Sequence, residues 1–162
     1  MNKNALLRFF LVLLLAFITI FTISSCRGPE EEHPQADLVR RSIAAGETDL
    51  DIAMYAINEI VGSSMGENYT LQFDEELNAI VLFTWFPGLA HDIKLAQGSN
   101  ELARTTWLSS ANSVASAGAN FHGLAEDVGA DVDVIVHIFC DVDPDIIYLT
   151  VKNGVILYNV VQ

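Results

Sequence analysis

Basic charge is what this chain lacks most. Lysine and arginine number 8 against 21 aspartates and glutamates, a formal net charge of −13. A surface so acidic repels phosphate backbones, which removes nucleic acid from the expected partners. Cysteine is nearly absent: Cys26 and Cys140 stand alone, so no framework of internal disulfides can staple the fold. Proline occurs at four positions, Pro29, Pro34, Pro87 and Pro144, all outside the apolar patterns described below. The chain has no glycine-rich phosphate loop, no metal-spaced histidine pair and no nucleophile elbow. The main enzyme templates therefore find no purchase, and no cofactor is expected.

What the chain does have is a long apolar run near its start. Lys3 and Arg8 precede residues 9–23 (FFLVLLLAFITIFTI), which close on Ser24, Ser25 and Cys26. A basic stretch, an apolar stretch and small residues before a processing point are the pattern of a secretory signal peptide. The ending Ile23-Ser24-Ser25-Cys26 resembles the lipobox of bacterial prolipoproteins. That resemblance covers residues 1–26 only. It implies removal of a signal peptide at 1–25, attachment of acyl chains such as palmitate at Cys26, export, and anchorage to a membrane of the cell envelope. Two or more acyl chains hold a protein stably where one does not. The competing reading is an uncleaved signal anchor, since the run lies near the lower length limit for spanning a bilayer.

Removal of residues 1–25 takes Lys3 and Arg8 with it and leaves 6 basic residues against 21 acidic ones. Residues 26–35 then read as a lipidated cysteine and a solvated linker, with two prolines and three consecutive glutamates. Residues 36–162 suit one globular domain. Within it, residues 36–45 suggest a short helix with Leu38, Val39 and Ile43 on one side. Thr48 and Asp51 have capping-box spacing, and Leu50, Ala53, Met54, Ile57, Ile60 and Val61 follow a helical rhythm up to Gly62. Tyr69, Leu71 and Phe73 alternate as on a half-buried strand, and residues 79–86 return as a strand apolar on both faces. Phe83, Trp85 and Phe86 suggest either a ligand platform or, the favoured reading, packing beneath the following helix.

Residues 88–98 show at most one turn of helix. From Glu101 to Val128 a stripe through Trp107, Ala111, Val114, Gly118, Phe121, Ala125 and Val128 predicts the longest helix of the domain, with a break expected near Gly118 if anywhere. Its other side carries Ser109, Asn112, Ser113, Ser116 and Asn120, with no charge between Arg104 and Glu126. In so acidic a chain that face is a candidate contact surface for a protein partner or a second copy. The bland alternative is an ordinary solvated face. Residues 132–140 alternate as a strand whose middle is expected to be buried on both sides. Asn153-Gly154 marks a two-residue hairpin, expected to pair Val151 with Ile156 and Leu149 with Tyr158. This gives a core face of Ile147, Leu149, Val151, Ile156, Tyr158 and Val160, with Tyr148, Thr150, Lys152, Val155, Leu157 and Asn159 facing solvent or a partner.

The expected fold is α+β: a mainly antiparallel sheet of about five strands with helices packed on one face, in the order α-β-β-α-β-β-β. Asp141, Asp143 and Asp145 copy the opening of a calcium loop, but Ile146 stands where that loop needs glycine and Lys152 where it needs glutamate. The favoured reading is an acidic turn and no metal site. Cys140 with His137 or His122 has the chemistry of a nucleophile and base, yet alternation puts Cys140 and His137 on opposite strand faces. His91-Asp92 is the remaining acid/base pair, with no pattern around it. No catalytic residue is expected. The leading expectation is a membrane-tethered binding or interaction module outside the cytoplasm. The alternatives are a small hydrolase of envelope polymers and an acidic inhibitor or immunity-type lipoprotein directed at a basic protein.

Overall fold

In the computed structural model, residues 48–162 are described. The signal segment, Cys26, the linker and the short helix expected at 36–45 lie outside the described residues. The first helix, α1 (Asp49–Met65), opens with the capping box read from the sequence. Asp51 N donates to Thr48 Oγ1 at 3.2 Å, and Thr48 N donates to the Asp51 carboxylate at 3.1 Å. Those bonds satisfy backbone donors that a helix start leaves unpaired and hold the Asp51 carboxyl below the usual carboxylate range. The helix does not stop at Gly62. It runs to Met65 and ends at Gly66, whose φ is +61°. Gly62 serves contact instead: a Cβ there would lie 2.9 Å from Tyr69 Oη, which donates to Asn58 Oδ1 at 2.9 Å.

Strands β1 (Tyr69–Asp74) and β2 (Ala79–Trp85) form the expected antiparallel hairpin. The chain then crosses over through α2 (Leu89–Gln97) and α3 (Glu101–Asp127) before entering β3 (Asp133–Phe139). This crossover corrects two expectations. The element order of the described residues is α-β-β-α-α-β-β-β, with a nine-residue helix where one turn was foreseen. The sheet is mixed, because its central pair β2–β3 is parallel. Parallel neighbours require a long covered connection, and residues 86–132 supply it. The two strands carry the apolar-on-both-faces composition that central parallel strands need. Helix α3 is unbroken at Gly118, where a Cβ would press on Val151 Cγ1 at 3.1 Å, so the glycine permits close approach to the sheet.

Strands β4 (Ile147–Lys152) and β5 (Val155–Asn159) complete the spatial order β1-β2-β3-β4-β5. Asn153 and Gly154 have φ of +49° and +84°, as a two-residue turn of this kind demands. Asn153 is also held in place: its Oδ1 accepts from Val134 N at 2.7 Å and its Nδ2 donates to Asp133 Oδ1 at 2.6 Å. Val151 faces Ile156 as expected, but two bulges then reverse the alternation. Leu157 is the extra residue on β5, so Leu149 lies opposite Asn159 rather than Tyr158. Tyr158 turns outward and is 48% exposed, while Asn159 turns inward and its Oδ1 accepts from Trp107 Nε1 at 2.7 Å. Tyr148 is the extra residue on β4. It enters the core, and Ile147 moves to the other face opposite Phe139.

Among the described residues, α1, α2 and α3 pack on one face of the sheet. Ile57, Ile93, Trp107, Phe121 and the inward residues Ile80, Leu82, Val134, Val136, Leu149 and Val151 form one cluster. A second, smaller cluster lies on the other face, which among the described residues carries no helix; it is made of Ala79, Val81 and Ile135 with Phe83 against it.

Candidate interaction surface

The face of the sheet turned away from the helices is built by alternation. On β2 it carries Ala79, Val81, Phe83 and Trp85; on β3, Asp133, Ile135, His137 and Phe139. Parallel register sets Phe83 beside His137 and Trp85 beside Phe139. Phe83, His137 and Phe139 stack as near-parallel rings: centroids are 5.4 Å apart from Phe83 to each of the others, and 6.3 Å from His137 to Phe139, with interplanar angles of 16° or less. Rings in register on neighbouring strands make a rigid, flat, mainly apolar surface. Thr150 Oγ1 lies 3.0 Å from His137 Nδ1 and fixes the imidazole plane. Burial lowers the His137 pKa, so the ring is neutral at neutral pH and joins the stack as an aromatic.

Toward β5 the surface becomes exposed and stays apolar. Val155 is 61% and Leu157 62% exposed, beside Tyr158. The β5 bulge is what presents Leu157 and Tyr158 together, since strict alternation would have put one of them in the core. Among the described residues Lys152 is the face's single cation, paired with Asp133 at 2.7 Å. That lysine and Asn153 hold the Asp133 carboxyl below its ordinary pKa.

The other residues singled out from sequence fall elsewhere. Ser109, Asn112, Ser116 and Asn120 are exposed and Ser113 half-buried on the outer side of α3, away from the sheet. Ser116 Oγ donates back to Asn112 O at 3.1 Å. The Ser/Asn face and the aromatic face are thus on opposite sides of the molecule.

Asp141 is spent on structure: its carboxylate accepts from Gly88 N at 2.5 Å and Ala90 N at 2.9 Å, capping α2 from a loop distant in sequence. Asp143 Oδ1 accepts from Asp145 N at 3.2 Å within the same turn. Asp141, Asp143 and Asp145 are not brought together as ligands, and no group of three His, Cys, Asp or Glu among the described residues could hold a metal ion.

Comparisons with protein-family models, curated proteins and solved structures each find no match.

Geometry also separates the acid/base candidates. Cys140 is buried in the helix-side core near Tyr148, whose hydroxyl pKa is pushed up by burial and by the thiol, whereas His137 is on the opposite face. His122 sits on α3 with its Nε2 3.6 Å from Glu126 Oε1. His91 is exposed beside Asp92, whose carboxyl is raised by burial. Among the described residues no helix is long and apolar enough to cross a membrane.

Sequence reasoning placed the aromatics wrongly in part. Phe86 packs against the helix-side core as the favoured reading had it, but Phe83 is on the helix-free face. The signal was present in the second apolar row of β2 and β3, which α1, α2 and α3 leave uncovered because they lie on the other side. Tyr158 and Phe139 were missed. The first was hidden by the bulge, and the second had been treated as one more buried strand residue.

Proposed function

We propose that this chain is a tethered extracytoplasmic binding module that holds a protein partner against the helix-free face of its sheet. The stacked Phe83–His137–Phe139 rings beside exposed Val155, Leu157 and Tyr158 carry this reading, because contiguous exposed apolar surface rimmed by charge is the mark of an interaction site. Aromatic anchors at the centre of such a patch supply most of the binding energy. The surroundings set the partner's charge. Residues 48–162 contain 3 basic and 16 acidic side chains, so a partner with an apolar patch ringed by lysine and arginine is complementary. That matches an inhibitor or immunity-type role toward a basic protein. The tether is Cys26, on the lipobox resemblance, and it holds an acidic domain off an anionic membrane.

A photoreactive residue at Tyr158 should capture the partner in native membranes, and one at Ser116 should not. Capture should weaken at high salt. Capture from Ser116 alone would move the contact to the Ser/Asn face of α3, and capture of a second copy would make the face a dimer interface. Turnover of cell-wall fragments abolished by one substitution on the sheet face would replace the binding reading with the hydrolase one.

A further inference from the structure

The exposed apolar side chains of the candidate surface gather on one strand, and that strand is an edge of the sheet. Val155, Leu157 and Tyr158 all belong to β5, whose hydrogen-bonded neighbour among the described residues is β4 alone. Lys152 and Val155 flank the two-residue turn, and such a pair exchanges both of its backbone bonds. Alternation then turns the N–H and C=O of the next residue, Ile156, away from β4 and toward the open edge. Strand β5 has neither a charge nor a proline to blunt that edge. Its bulge at Leu157 twists only the part that follows Ile156. The opposite edge is of another kind: β1 presents exposed Thr70 and Gln72 and ends on Asp74.

We propose that the partner lays an extended basic segment along β5 as a further strand of the sheet, pairing with the backbone of Ile156 beside Val155 and Leu157. The inference rests on the reading of this face as the partner's contact, and it names how the contact is made. A partner that covers Val155, Leu157 and Tyr158 also takes water from the Ile156 N–H and C=O, and a covered backbone group without a hydrogen bond opposes binding. An extended strand supplies both missing bonds. Charge decides whose strand it is. Residues 48–162 hold 16 acidic side chains against 3 basic ones, so a second copy of the domain is repelled. A segment alternating apolar residues with lysine or arginine sets its apolar side beside Val155 and Leu157 and keeps its cations in an acidic field.

The test is amide NMR on the full chain in neutral detergent, titrated with a synthetic peptide of alternating lysine and valine capped at both ends. The Ile156 amide should move downfield and exchange more slowly, with cross-strand nuclear Overhauser contacts joining the peptide backbone to Val155–Leu157. The same peptide methylated at every backbone nitrogen should leave Ile156 unmoved. Leu157→Lys, which puts a like charge on an already exposed position, should abolish the shift while the Val134 and Leu149 amides stay in place. An unmoved Ile156 amide, an equal shift with the methylated peptide, or pairing at Thr70 and Gln72 of β1 instead overturns the proposal. So does an Ile156 shift that follows protein concentration with no peptide present, which would give the edge to a second copy. Photocapture at Tyr158 is read separately: its failure while the peptide pairs removes the partner reading, and its success while the peptide does not pair removes strand addition alone.

Discussion

Gly154→Ala should be among the most damaging single-methyl changes in the domain, for two separable reasons. Gly154 has φ of +84°, which an L side chain adopts at a cost of about 1–2 kcal/mol. Its missing Cβ would also stand 2.6 Å from Ala119 Cβ, 3.2 Å from Ala119 Cα and 3.3 Å from Ala115 O. Two of those three atoms belong to the backbone of α3, which cannot swing aside as a flexible side chain would. Overpacking of this kind adds about 1–3 kcal/mol. The expected loss is therefore about 2–5 kcal/mol, read as a fall in urea midpoint at constant m. Gly88→Ala is the control: φ there is +87°, but nothing lies within 4 Å, so only the conformational cost of about 1–2 kcal/mol applies. In the Gly154→Ala/Ala119→Gly double variant the closest clash is gone, and the two changes should couple favourably by about 1 kcal/mol. Equal losses for Gly154→Ala and Gly88→Ala, with no coupling to Ala119, would refute the claim that the turn is wedged against α3.

Other expectations follow from the same geometry. Asp141→Ala removes the carboxylate that receives Gly88 N and Ala90 N, and should cost about 1–2 kcal/mol with exchange protection lost first in α2; millimolar Ca²⁺ should leave the melting temperature unmoved in both forms. Asn159→Leu should cost about 1–3 kcal/mol by leaving Trp107 Nε1 without its acceptor, and Trp107→Phe in the same chain should recover part of that loss. His137 has a folded pKa below its ordinary 6.5, so the unfolded chain takes up the proton first. Its contribution is complete above about pH 6.5 and is lost as pH falls from there toward the folded pKa. Stability should thus drop from pH 7 to pH 5, and His137→Phe should flatten that limb; an unchanged slope would remove His137 as its source.

Features carried by neighbouring residues were legible in the sequence. The Thr48–Asp51 capping box and the Asn153-Gly154 turn each depend on residues within three positions of one another, and each forms as read. What escaped depends on distant partners. Helix α2 has no side-chain cap of its own, because its cap is Asp141, 51–53 residues away in the chain. The bulges at Tyr148 and Leu157 are decided by what the opposing strand and α3 accept, so two outward residues of the expected hairpin became core and two core ones became surface. The parallel pairing of β2 and β3 was visible only indirectly, as two strands apolar on both faces. For the candidate surface, the rings of Phe83, His137 and Phe139 are scattered along the chain, and nothing short of the register brings them into one stack.

The central claim is that the helix-free face, and not the Ser/Asn side of α3, is where this domain meets its partner. The most direct measurement is a paired photocrosslinking experiment in native membranes, with the reactive group at Tyr158 in one sample and at Ser116 in the other. The account predicts one discrete, salt-sensitive adduct with a basic protein from Tyr158, lost when Phe139→Asp disrupts the stack, and no adduct from Ser116. An adduct from Ser116 with none from Tyr158 would contradict it.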